Sequence, residues 1–501
     1  MSQPSTVTLK TKLAILSVGL LSFVGILVET SMNVTFPTLI KTMGVSLDTV
    51  QWLTTGYLLL TTIVMSTTAY VLKRFNPKPL FLFAALVCLL GGILCWLAPN
   101  FSVLLTGRLL QAVATGISIP LMFQLIFTYV PRNQLGTYTG LASVIVSLAP
   151  ALGPTYGGIL TSVWSWRAIF VGIVPLLALL AILGAFNISG KALGVGDKKF
   201  DYLGAILLAI TFTSLLFTFN NAGTHGWLSP NFGLWCLWSI VMIGAMVTYA
   251  IKGRRQLIDY SILKLPILRL RLFNYFGLQF INIGLSFVLP LFAQTVLGAS
   301  AMTAGLMMLP GAIVGAITGP IAGRIYDKQG PTTLLTFSAI MASAALLLFW
   351  LTTDYFTVII MAVIYALLRV GFNTGFGTAI SDGSTRVPLP QKSDQNSMFS
   401  MMQQYAGSIG TSIMSAVIAG YEIHHPTVTG TIMGSKLDFL LLFVLAIAIL
   451  INVLHVKRLE AGAKLGLTDS IVSLESGLIA AFLEINYLNA LNLHRKGSGF
   501  L

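Results

Sequence analysis

The residues best suited to chemistry in this chain are a carboxylic acid and an arginine that sit where charge is least welcome. Ile26-Leu27-Val28-Glu29-Thr30-Ser31-Met32-Asn33 closes an apolar run that starts just after Lys12, and of the fifteen acids in the chain Glu29 is the one placed within such a run. A charged side chain near the centre of a bilayer costs about 2.5–3.5 kcal/mol on insertion scales, so a carboxyl persists there by facing protein or a wet cavity. Two readings are open: a protonated, hydrogen-bonded packing residue, or a carboxyl that gains and loses a proton as the protein works. Arg108 lies in a later apolar run. It can pair with a carboxylate, attract an anionic group of a substrate, or bind backbone carbonyls and fix helix packing. A pair with Glu29 would break on protonation of the acid and so create an element with two states. Arg369, followed one helical turn later by Asn373, has no acid evident beside it. The amides Asn33, Gln111, Gln124, Gln279, Asn282 and Gln403 also fall in apolar runs, where they suit either a polar cavity or hydrogen bonds between helices. Glu422, His424 and His425 read as a solvated loop rather than a metal site, because no fourth ligand is visible.

These groups need elements that hold them in a membrane. Of 501 residues, 56% are hydrophobic and 9% charged, whereas a soluble chain is nearer 25% charged. We read fourteen spans, at 13–36, 50–72, 79–97, 102–127, 137–162, 168–188, 202–221, 232–251, 273–296, 302–323, 332–352, 356–380, 396–420 and 439–456. Most are close to the ~20 residues a helix needs to cross a bilayer. The runs are continuous rather than alternating, which predicts helices and excludes a barrel. Cys88, Cys95 and Cys236 all fall in apolar runs and suggest neither a disulfide framework nor a metal cluster.

The net charge of +14 reads as topology rather than nucleic-acid binding. With both termini in the cytoplasm, 21 Lys and Arg residues fall in inside segments and three in outside ones. Anionic lipid headgroups are the expected partner of that charge. The chain also repeats. Gly323-Arg324-Ile325-Tyr326-Asp327-Lys328-Gln329-Gly330, after span 10, stands 254 positions beyond Ala69-Tyr70-Val71-Leu72-Lys73-Arg74-Phe75-Asn76, after span 2. Parallel repeats of six helices, 1–190 and 256–460, are expected around a central cavity, with two inserted helices at 191–255. The tail, 461–501, carries apolar residues at helical spacing and reads as a helix on the cytoplasmic membrane surface or as a segment foreign to the fold.

Span 5 ends in Gly153-Pro154-Thr155-Tyr156-Gly157-Gly158. Glycines let a neighbouring backbone approach, and proline bends the helix. This Gly-Pro-x-x-Gly-Gly pattern resembles the antiporter motif of the major facilitator superfamily. Gly323, Asp327 and Gly330 resemble the second copy of its cytoplasmic loop motif, and Arg108-Leu109-Leu110-Gln111-Ala112 its proton-transfer motif. Asn33 and Pro37, Trp166-Arg167 and the series Asn396, Gln403, Gln404, Gly407, Gly410 resemble its fourteen-helix drug:proton antiporter branch. Three positions depart from the pattern. The family's acid aligns with Val28, so Glu29 is turned by about 100° on a helix. Lys73 and Asn76 stand where Asp and Gly are usual, and Ala112 where Gly is usual.

The resemblance implies an all-α major facilitator fold of fourteen transmembrane helices in a bacterial cell membrane. It implies a monomer that exports lipophilic drug-like compounds in exchange for protons. Glu29 and Arg108 would couple the proton, and Gly153, Pro154, Gly157 and Gly158 would form a packed hinge. An alternative is export of an anionic amphiphile such as a fatty acid, suggested by one intramembrane acid against two arginines. No cofactor is expected, and no nucleotide-binding motif or nucleophile constellation suggests an enzyme.

Overall fold

The computed structural model describes residues 7–33, 35–45, 47–191, 200–253 and 257–464. They form sixteen α-helices joined by short turns. In order these are α1 (Leu9–Asn33), α2 (Phe36–Met43), α3 (Leu47–Arg74), α4 (Pro77–Leu97), α5 (Phe101–Tyr129), α6 (Leu135–Val163), α7 (Ala168–Asn187) and α8 (Tyr202–His225). Then come α9 (Pro230–Lys252), α10 (Pro266–Thr295), α11 (Ala301–Leu306), α12 (Leu309–Gln329), α13 (Pro331–Thr352), α14 (Val358–Thr385), α15 (Lys392–Glu422) and α16 (Thr427–Lys464).

Thirteen segments of the described chain are long and apolar enough to cross a membrane. The fourteenth expected span, α15, has the length, at 31 residues, but is too polar to count by hydropathy. Its Lys392, Asp394, Gln395, Asn396, Gln403 and Gln404 are instead buried against other helices. Two spans are more broken than the sequence suggests. Pro37 lies in the first turn of α2, so the first run ends at Asn33 and restarts as a short helix capped by the left-handed Gly44. Pro310 likewise starts α12 afresh after α11. The last span begins earlier than read, at Thr427 rather than 439. The side chain of Asn33 and the tail beyond Lys464 lie outside the described residues.

Residues up to Leu450 pack as one compact unit. Within it, α1 and α3–α7 associate with one another, and so do α10 and α12–α15. The two groups meet along α6 against α12 and along α3 and α5 against α15. The added pair leans on that seam: α8 touches both α3 and α15, and α9 packs on α8. At α6–α12 the contact is close because it is made of backbone. A Cβ added at Gly136 would stand 2.5 Å from the carbonyl oxygen of Gly323, and Gly140 faces Gly319 in the same way. Gly330, at φ 79°, makes the turn from α12 to α13.

Candidate functional site

Helix packing places Glu29 on α1 beside Arg108 on α5 and Tyr57 on α3. Glu29 is half-buried. Arg108 is fully buried, at 0% exposure, and is the positive charge that acts on Glu29. No ion pair joins the two among the described residues; the arginine is held otherwise. Its guanidinium lies 4.3 Å from the centre of the Tyr57 ring, and its NH1 donates to Oε1 of Gln111 one turn on, at 2.8 Å. The Tyr57 hydroxyl bonds Thr115 at 2.7 Å and donates to the Gly25 carbonyl at 3.1 Å, which ties α3 to α5 and α1. Nε and NH2 of Arg108 and Nε2 of Gln111 keep no partner. Buried donors left open in this way are expensive. They mark a place where a carboxylate, a water or a substrate group can be received.

Arg369 on α14 repeats the arrangement. It is 1% exposed, donates through NH1 to Oδ1 of Asn282 on α10, and lies 4.9 Å from the Phe372 ring centre. Its Nε and NH2 are also unpartnered, as are both polar atoms of the Gln279 side chain and Oδ1 of Asn373. Asn373 donates back to the Arg369 carbonyl at 3.0 Å. Gln403 does not join this group; it accepts from the Tyr275 hydroxyl at 2.8 Å.

The basic ends of the helices carry a different set of contacts. Asp327, at the end of α12, caps α6. One carboxylate oxygen accepts from the amide of Gly136 at 2.7 Å, and the other from the amide and hydroxyl of Thr137 at 3.0 and 2.7 Å. An acid at a helix N-terminus satisfies free amides and meets the positive end of the helix dipole. Lys73 occupies the repeat-equivalent position at the end of α3, and it forms an ion pair with Asp394 in the first turn of α15. Asp394 also accepts from the Asp259 amide at 3.0 Å. Lys73, where the family motif has an acid, thus reaches an acid on the facing helix instead. Around this pair Lys392 donates to the Phe127 carbonyl, Asn396 to that of Pro120, Ser393 to Gln124, and Thr68 meets Ser397. Gln124 therefore takes part in this closure. It also lines a shallow cleft with Leu72, Phe75, Tyr129 and Lys191.

The glycines of span 5 divide. A Cβ at Gly157 would lie 2.5 Å from the Ser31 carbonyl oxygen, and Gly153 faces Thr30 and the Leu27 carbonyl equally closely. Ser31 adds a hydrogen bond to the Gly153 carbonyl at 2.8 Å. Gly158 faces open space, and Pro154 lies inside the same helix, where it removes one backbone hydrogen bond. Replacing Gly157 by Leu is expected to abolish transport by wedging α1 from α6 beside Glu29, while Gly158→Ala transports normally. Transport and surface expression of both variants in cells check this; normal transport by Gly157→Leu would remove the contact from the mechanism.

Sequence reasoning missed Tyr57, Asp394 and Asp438. The last lies within α16, buried, with neither carboxylate oxygen partnered.

A membrane-spanning bundle with unpaired buried charge inside it, and closing contacts at one end between its two groups of helices, has the construction of a solute transporter rather than an enzyme. The chain belongs to the Major Facilitator Superfamily, whose profile matches residues 18–411. It is 34% identical to the MFS-type transporter YhcA of Bacillus subtilis, across 82% of this chain and 77% of that protein. It is 31% identical to the lincomycin resistance protein LmrB of Listeria innocua, across 81% of this chain and 87% of that one. Among solved structures, the proton:xylose symporter XylE superposes with a TM-score of 0.60 at 12% identity, covering 87% of this chain and 96% of that one.

Proposed function

We propose that this transporter is a proton-coupled antiporter that exports lipophilic drug-like compounds from the cytoplasm across a bacterial cell membrane. The observation that carries the reading is Glu29: a half-buried carboxyl inside a membrane helix, acted on by Arg108 but not bonded to it. Such a carboxyl can exchange its proton, and its charge is felt by an arginine with two donors open. Relatives named for lincomycin resistance make an antibiotic-like substrate class the natural expectation.

In this reading both termini are cytoplasmic, since that orientation puts 21 basic residues inside. Residues 1–190 and 256–460 act as two bundles that rock about the substrate, 191–255 supply the inserted helices, and the protein works as a monomer. Among the described residues, the hydrogen bonds between the two groups of helices run from Thr139–Ser381 to the basic end. The conformation is thus one with its cytoplasmic side shut. Opening requires Lys73, Asp394 and Asp327 to release, and closing restores them.

A second reading, export of an anionic amphiphile, draws on Arg108 and Arg369, each with two open guanidinium nitrogens. Proteoliposomes with an imposed pH gradient test both. Uphill movement of cationic or neutral lipophilic compounds supports the first reading, and preferential movement of fatty-acid-like anions supports the second. No pH-driven movement of either overturns proton antiport.

A further inference from the structure

Arg369 differs from Arg108 in one respect: no acid stands beside it. It projects from α14, with Asn373 one turn on. Gly371 and Gly375, two residues beyond each of these, pack on Ser338 of α13. Two residues are about 200° of helix, so Arg369 and Asn373 face away from α13. Their stripe continues at Gly377 and Ser381, which meet Ser143 and Thr139 of α6 in the other group of helices. Arg369 therefore lies on the face of α14 that looks across the seam, about 12 Å along the helix from Gly377.

Its depth is fixed by two helices that run in opposite directions. Arg369 is sixteen residues from the basic end of α14 at Thr385, and its partner Asn282 is sixteen from that of α10 at Pro266, about 24 Å in each case. From the opposite ends, Val358 and Thr295, the distances are about 16 and 20 Å. The guanidinium thus stands near the middle of a ~30 Å hydrocarbon layer.

The pocket around it comes from one group of helices. NH1 donates to Oδ1 of Asn282, the Phe372 ring centre lies 4.9 Å away and that of Tyr365 5.9 Å away. On α12 an added Cβ at Gly311 would stand 3.1 Å from Cγ of the arginine, and one at Gly315 would stand 3.5 Å from Nε. None of these neighbours is an acid. Asp382, further along α14, bonds Arg271, and Asp327 of α12 caps α6. Helices α6 and α13 carry no charged residue. In helix order α10 is the counterpart of α1. Where α1 offers Glu29 to Arg108, α10 offers Arg369 the amide of Asn282.

The atoms left open define what fits. Nε and NH2 of Arg369 are unpartnered at 1% exposure. These two nitrogens form one edge of the guanidinium, with parallel N–H bonds that match the two oxygens of a carboxylate. Nε2 of Gln279, one turn before Asn282, is a third open donor. Oε1 of Gln279 and Oδ1 of Asn373 are open acceptors for a donor elsewhere on the same compound. Arginine does not lose its proton, so its charge persists at this depth. Water satisfies the donors and leaves the charge; a carboxylate answers both.

We propose that Arg369 is the specificity-determining residue of a carboxylate site in the cargo path, formed with Gln279 and Asn282, and that it selects lipophilic compounds bearing a carboxylate. The site is reached when the two groups of helices part along α14 and α6. Arg108 is not part of it, having an acid of its own chain beside it. The inference rests on the export reading above and names a substrate class for it.

The test compares a dansyl-labelled fatty acid with its methyl ester, which keeps the apolar body and loses the charge. Fluorescence titration of the purified protein is expected to show the acid bound about ten- to a hundredfold more tightly than the ester. Arg369→Gln and Arg369→Lys should lose that preference with ester affinity unchanged, the lysine because it keeps the charge without the two-pronged edge. Arg108→Gln should keep it. No preference in wild type, or an undiminished one in the Arg369 variants, overturns the inference. Acetate that displaces the acid at equal concentration shows a small-anion site only, and overturns it too. If neither Arg369 variant folds, Gln279→Met decides by removing the third donor: an undiminished preference in that variant overturns the proposal. Proteoliposomes separate the two levels. If wild type exports lipophilic compounds under a pH gradient but the Arg369 variants prefer the acid as before, this inference falls alone. If the acid binds through Arg369 and nothing is exported, the transport reading fails and the site stands.

Discussion

Glu29→Gln should reduce pH-driven export to the level of protein-free liposomes while leaving substrate binding largely intact. Glutamine has the shape of the protonated acid and keeps it permanently neutral, so the proton can be neither loaded nor released. The site is suited to a large effect. Glu29 is the acid under Arg108, and Arg108 is locked against Tyr57 and Gln111 rather than free to seek another carboxylate. Loss of the charge changes what the arginine feels without removing a hydrogen bond, since none connects the two. Binding of neutral compounds should therefore persist, and binding of cationic ones should weaken. Arg108→Ala should also impair coupling. The pair should be non-additive, by about 0.5–3 kcal/mol, the range found for residues that interact. Export under an imposed gradient and equilibrium binding, measured on the same preparations, separate coupling from affinity. Wild-type export by Glu29→Gln would make that residue a packing group and transfer the whole coupling role elsewhere.

Lys73→Asp should be nearly as damaging, and for a reason that permits rescue. In one half of the fold a carboxylate, Asp327, caps the helix across the seam directly. In the other half the acid has moved onto the capped helix as Asp394, and Lys73 reaches it from α3. Lys73→Asp sets two carboxylates face to face. Breaking a buried pair costs about 3–5 kcal/mol. Lys73 is 18% exposed, which puts this pair toward the lower end of that range. Even so, at 1.4 kcal/mol per tenfold, the closed cytoplasmic side loses on the order of a hundredfold in population. The reactivity of a cysteine introduced at Ser397, buried beside this pair against Thr68, should rise accordingly and export should fall. Adding Asp394→Ser removes the repulsion and frees the α15 N-terminus for the carboxylate introduced at the end of α3, as Asp327 meets α6. Export should recover in part, because the bond from Asp394 to the Asp259 amide stays lost. Unchanged export and reactivity in Lys73→Asp alone would remove the pair from the gating of the transporter.

Much of this architecture is legible from hydropathy, because a bilayer imposes helix length and forces backbone groups to bond within each helix. The failures have physical causes. The last helix reads from 439 because Gly430, Gly434, Lys436 and Asp438 dilute its first turns, and that start misses a fully buried acid, Asp438, by a single residue. Helix α15 reads as a span at 396–420, yet it is too polar to count by hydropathy, because its polar face is satisfied by other helices rather than excluded from the membrane. Amides carry no signal of their partner, so Gln124 and Gln403 read as cavity residues although one faces Ser393 and the other Tyr275. Tyr57 has no signature at all: its role comes from lying under a guanidinium. Lys73 did announce itself. It stands out as a cation where the repeat has an acid, but nothing in the sequence names its partner, Asp394, in the first turn of the facing helix.

The glycine seam between α6 and α12 has a bearing on cellular energy. If, as proposed, the protein admits protons in exchange for cargo, it must admit none without it, or it drains the gradient that powers the rest of the membrane. Where Gly136 and Gly140 meet Gly323 and Gly319, main chain lies against main chain, and a file of water molecules has nowhere to form. That barrier does not depend on any rotamer. While Asp327 holds the start of α6 the seam is tight whatever the cargo, so the closed side needs no plug that a particular substrate would have to shape.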